Sequence, residues 1–98
     1  MKISTQEDVD QLTLKLEGKV VGEWAMELER FWHSFLPQLG ARKLCLDICG
    51  VAYIDRHGKE ILRKIFDVTR ADILADSPLT KQFANEMKQT PDNDGMGD

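Results

Sequence analysis

Three features of this 98-residue sequence predict an α/β fold, a small mixed β-sheet of about four strands with helices packed on it. The first lies at Asp55-Arg56-His57-Gly58, where apolar spacing changes from strand-like to helix-like. The second is the strict alternation of Leu12-Thr-Leu-Lys-Leu-Glu17, with leucines on one face and polar residues on the other. The third is helical apolar periodicity over 23–36, 57–70 and 78–88.

The elements follow in order. Lys2 to Gln6 reads as a short edge strand and Glu7 to Asp10 as a turn. Leu12 to Glu17 is a half-buried strand, and Gly18 and Gly22 bracket a link of Lys19-Val20-Val21. In the helix 23–36, Trp24, Leu28, Phe31 and Phe35 share the predicted core stripe, with Ala25, Trp32 and Leu36 on its flank. Pro37 and Gly40 are expected to end it. Leu44 to Ile48 is a central strand, with Leu44, Leu46 and Ile48 on one side and Cys45, Asp47 and Cys49 on the other. The next helix buries Ile61, Leu62, Ile65, Val68 and Thr69, carries Arg56, Lys59, Arg63 and Arg70 on the opposite face, and has Phe66 at the boundary. Its cations could belong to a binding surface, or to a solvated face knit by Glu60–Lys64 and Arg63–Asp67 pairs. A short strand at 71–75 leads to Ser77-Pro78, a helix start with Ser77 as cap.

This length holds one domain, expected over 1–90. Residues 91–98 carry Asp92, Asp94 and Asp98 with no base, and read as an acidic disordered tail. A net charge of −4 argues against nonspecific nucleic-acid binding. No apolar run suits direct membrane insertion, and there is no signal-peptide core. Cys45 and Cys49, about 13 Å apart on an extended strand, are too distant for a disulfide. Reduced thiols point to a cytoplasmic protein.

The run Leu46-Asp-Ile-Cys-Gly-Val-Ala-Tyr-Ile-Asp-Arg-His-Gly58 resembles the STAS domain, the module of anti-sigma-factor antagonists and of the cytoplasmic ends of sulfate transporters. Asp47, Val51, Ile54, Asp55 and Gly58 match its strand–turn–helix pattern, and the resemblance spans about residues 2–88. It implies a non-catalytic module that binds a protein partner, an anti-sigma factor or kinase-like protein, around Asp55–Phe66. Regulatory members place a phosphorylated Ser or Thr where this chain has Arg56, so the resemblance also implies a lost switch.

The expected partner-binding residues are Arg56, Lys59, Arg63, Phe66 and Arg70, with Asp55, His57 and Gly58 forming the turn. Asp55 is read as a helix cap. His57 has no second His or Cys beside it and receives no catalytic or ligand role. No cofactor or metal is expected, since no nucleophile–base pair or ligand cluster stands out. Two alternatives stay open: an accessory subunit docking on a membrane transporter's ATPase, and an anion- or nucleotide-sensing module using the helix start at Arg56. A homodimer is compatible with each.

Overall fold

The structure, a computed structural model, describes residues 1–88. The expected acidic tail lies outside the described residues. The chain runs β1 (Lys2–Glu7), β2 (Gln11–Val20), α1 (Gly22–Leu39), β3 (Lys43–Ile54), α2 (Arg56–Thr69), β4 (Asp72–Leu74) and α3 (Pro78–Lys88). The strands form one sheet in the order β1-β2-β3-β4. β1 is antiparallel to β2, while β2–β3 and β3–β4 are parallel. Parallel neighbours need a long crossover, and α1 and α2 supply the two.

The leucines of β2 and the apolar residues of β3 meet the three helices in one cluster, which includes Leu28, Trp32, Leu62, Ile65, Phe83 and Met87. Of the described strand residues pointing away from the helices, only Cys45 is buried; Lys15, Glu17, Asp47 and Cys49 are exposed or half-buried. The molecule therefore has two layers and one core.

β3 is longer than the expected Leu44–Ile48, because it does not alternate throughout. Lys15 pairs with Asp47 and Glu17 with Gly50; Gly18 then pairs with Val51, and Lys19 with Tyr53. Each shift inserts one extra residue into β3, a bulge that reverses the phase of the strand. Two reversals bring Val51 and Ile54 onto the helix side, opposite Gly18 and Val20. Asp47 gains a structural role here. Its carboxylate accepts the Cys49 amide at 3.1 Å, where the extra residue interrupts the ladder. Likewise β2 continues to Val20 through the expected link.

α1 corrects two expectations. It runs past Pro37 to Leu39. A proline this close to the end removes only one helical bond, the one an amide there would donate to the His33 carbonyl, and the carbonyls of the last turn need other donors in any helix. Arg42 caps that end, its Nε donating to the Leu39 carbonyl at 3.2 Å and Nη2 to that of Gln38. Its Nη1 meets Glu7 at 2.8 Å and so ties the helix end to β1. The buried stripe is also rotated: Ala25, Leu28, Trp32 and Phe35 are buried, while Trp24 is 49% exposed. Small Ala25 lets the backbone approach the sheet, so close packing sets the phase and not the bulk of the aromatics.

Smaller differences have the same origin. Val68 points outward and Thr69 is half-buried, donating to the Ile65 carbonyl at 2.7 Å. Leu79 is half out, and α3 buries Thr80, Phe83, Ala84 and Met87. Ser77 caps α3 as expected, its Oγ accepting the Thr80 amide at 3.1 Å. Both cysteines are free. Burial, then the neighbouring Asp47, pushes both thiols above their ordinary range.

Candidate functional site

The turn from β3 into α2 is built on Asp55. Its backbone is extended and its amide donates to the Val20 carbonyl at 3.2 Å, so the turn stays against the end of β2. One carboxylate oxygen accepts the Gly58 amide at 2.8 Å, the cap that the sequence predicts. The other accepts the Gly22 amide at 3.0 Å. Gly22 opens α1, whose own cap position, Val21, offers no side-chain acceptor. One carboxylate thus serves the starts of two helices, and the second bond, across 33 positions of chain, has no local sequence signal.

The Gly58 amide above all, helped by the Gly22 amide and nearby His57, holds the Asp55 carboxyl below its ordinary 3.8, against the opposing pull of partial burial. A carboxyl depressed in the folded state contributes stability that is present above its unfolded value and lost as pH falls through the folded one. The wild type is therefore expected to lose stability below about pH 4 more steeply than Asp55→Asn, which starts lower at neutral pH. Denaturant midpoints between about pH 7 and pH 2.5 check this, and parallel acid limbs would contradict it.

Asp55 also bears on the anion-sensing alternative. A helix start favours negative charge, and here the chain's own carboxylate supplies it.

Arg56 and His57 stand in solvent, 90% and 72% exposed in their side chains. Both lean toward Glu60, at 3.9 Å and 4.0 Å. Lys64, expected to pair with Glu60, reaches instead to Glu29 of α1 at 3.4 Å. Lys59 lies on the α3 side, 3.9 Å from Glu86. Arg63 is half-buried on the same side of the helix.

Phe66 is the main correction to the expected surface. It is 8% exposed and belongs to the core. The Arg70 guanidinium covers its ring, 5.1 Å from the centroid, in cation–π geometry. A boundary position on a helical wheel does not reveal that a long neighbour will close over it. Arg56, Lys59, Arg63 and Arg70 do share one side of α2, so the structure gathers the cations and removes the aromatic.

The sequence did not reveal the groove between α2 and α3. Ile54, Lys59, Leu79, Gln82, Phe83 and Glu86 line a shallow space of about 80 Å³. Its only sequence signal is the i, i+4 pair Leu79 and Phe83 one turn from an acid. Among the described residues, no group of three or more His, Cys, Asp or Glu is placed to hold a metal ion. No described helix is long and apolar enough to cross a membrane.

No family model matches the chain, and no curated protein matches it. Among solved structures it is similar to the anti-sigma factor antagonist SpoIIAA in its unphosphorylated form, with a TM-score of 0.60 and 10% identity, over 83% of this chain and 79% of that one. It is also similar to part of Mglu, with a TM-score of 0.58 and 17% identity over 76% of this chain. The matched region is 19% of that Mglu chain. At such identities the likeness carries the fold, and the four-stranded mixed sheet with three helices is the STAS fold of the antagonist.

Proposed function

We propose, from the premise of the STAS fold, that this chain is a non-catalytic, cytoplasmic interaction module whose α2 binds an acidic surface of a regulatory partner, an anti-sigma factor or kinase-like protein. The distribution of charge carries this reading. Residues 56–70 hold five bases against two acids, whereas residues 1–55 and 71–88 hold eight bases against twelve acids. A positive helix on a negative body steers and orients an acidic partner. Arg56, its side chain 90% exposed, stands at the start of that helix and offers no hydroxyl for a phosphate ester, so binding does not depend on phosphorylation at this turn.

The test uses the partner that copurifies from the source cells, once identified and produced alone. The double variant Arg56→Glu/Lys59→Glu is expected to weaken binding at least about tenfold, or about 1.4 kcal/mol. Its melting temperature should change little, because exposed charge pairs contribute little to stability. The loss should appear mainly in the association rate and shrink with added salt. Equal affinities of variant and wild type at low and high salt would place the interface elsewhere.

A further inference from the structure

β1 is an end strand of the sheet, and among the described residues no strand pairs with its outer side. The Asp8 amide donates inward to the Gln11 carbonyl at 2.8 Å. Backbone direction alternates along an antiparallel strand. Lys2, Ser4 and Gln6 therefore also point their N–H and C=O groups at β2, while Ile3, Thr5 and Glu7 point theirs outward. Protein edges are usually blunted by a proline, a bulge or a central charge. β1 has none of these: its register with β2 is unbroken, and Ile3-Ser-Thr-Gln6 is uncharged. The other end strand, β4, has three residues and offers little to pair with. Thr5 and Glu7, with Leu12 of β2 and Phe31 and Phe35 of α1, also line a space of about 240 Å³ on the helix side of β1.

We propose that the outer edge of β1 pairs with β1 of a second copy, antiparallel about a two-fold axis at Thr5, joining the two four-stranded sheets edge to edge. Any extended chain can meet the hydrogen bonds; the side chains select this one. With the axis at Thr5, Thr5 faces Thr5 of the second copy and Ile3 faces its Glu7. These are the residues with outward backbone groups, so each pair exchanges both of its bonds. On the open face the strand carries Lys2 at one end and Asp8 just past the other, with Ser4 and Gln6 between. Lys2 then faces Asp8 of the second copy, Asp8 faces its Lys2, and Ser4 faces its Gln6. Opposite charges placed so across two strands attract, and no like charges meet. An axis at Ser4 sets Lys2 against Gln6, and one at Gln6 sets Asp8 against Ser4, so the charge match belongs to the axis at Thr5. On the helix side, Ile3 of the second copy arrives beside Glu7, at the mouth of the space lined by Leu12, Phe31 and Phe35. A seam six residues long is small for an interface, and a dissociation constant on the order of 100 μM is expected. The seam does not depend on the function proposed above. α2 follows β3, two strands in from β1, and stays open on both copies.

Sedimentation velocity of the full chain, from about 10 μM to about 1 mM protein in about 20 mM salt, should show a monomer–dimer equilibrium. Lys2→Glu alone, or Asp8→Lys alone, sets like charges against each other at both ends of the seam and should weaken the dimer about tenfold. An equal mixture of the two variants forms heterodimers in which both pairs are again opposite in sign. The mixture should regain the wild-type affinity, and added salt should shrink all these differences. Thr5→Pro removes an amide that points outward, which an edge strand tolerates, and should leave a folded monomer. A dimer that survives Thr5→Pro, or a mixture no tighter than its two components, would overturn the inference. A chain that stays monomeric to about 1 mM would leave the edge to some other extended segment and overturn it as well. Should Thr5→Pro fail to fold, the mixture alone decides.

Discussion

Gly58→Ala is expected to destabilise the protein by about 3 kcal/mol, a large share of a small domain's stability. A Cβ at this position would fall inside the contact distance of the Val20 carbonyl oxygen, 2.9 Å from Ile54 Cγ2 and 3.0 Å from Val20 Cγ1. The first obstacle is backbone and cannot turn aside. Val20 pairs with Ile54, and its carbonyl accepts the Asp55 amide, so β2 retreats only by breaking the ladder next to the turn. Gly50→Ala is the control. Its Cβ would meet Glu17 Cγ at 2.8 Å, part of a half-buried side chain that can swing away. That change should cost no more than about 1 kcal/mol. Urea midpoints of the two variants decide the matter, and a wild-type midpoint for Gly58→Ala would mean that α2 does not sit this close to β2.

Leu46→Ala should be the second large effect, about 4 kcal/mol. Leu46 is fully buried and sits mid-sheet, beside Leu14 of β2 and Ile73 of β4. Neighbouring backbones are locked in the sheet, so the space cannot close and the loss of transfer energy is joined by the cost of a cavity. At roughly 4–8 °C per kcal/mol for a domain of this size, the melting temperature should fall by tens of degrees. Leu74→Ala, at a site 49% exposed on the opposite side of the sheet, should stay within about 1 kcal/mol. Similar losses for both would mean that the leucines of β3 do not face the helices.

What could be read in the sequence follows from how local each cause is. The strand-to-helix change at Asp55 was legible because a cap and a period are written in adjacent residues. The bulges of β3 were not. Cys49-Gly-Val-Ala-Tyr53 has no period of its own, and its phase is set by the partner strand. Pro37 misled because its usual effect was offset by Arg42, a residue beyond the helix. Trp24 and Phe66 depart in opposite directions: bulk suggests burial for Trp24, where close approach of the backbone decides otherwise, and a boundary position suggests exposure for Phe66, which Arg70 covers. At the site, the cationic side of α2 was legible from spacing. The Gly22 bond of Asp55 and the α3 wall of the groove were not, because both join segments distant in the chain.

The two faces of the sheet also place unequal demands on inheritance. Among the described residues of the open face only Cys45 is buried, and exposed positions such as Lys15 and Tyr53 can change with little loss of stability. On the covered face, Leu12, Leu14 and Leu16 of β2 and Leu44, Leu46, Ile48, Val51 and Ile54 of β3 lie against the helices, and Gly58 has no room for a side chain. A lineage of this fold can thus drift across most of its surface while a few inward positions stay apolar. Kinship would show in those positions, with their double break in period along β3, long after whole-chain identity has faded.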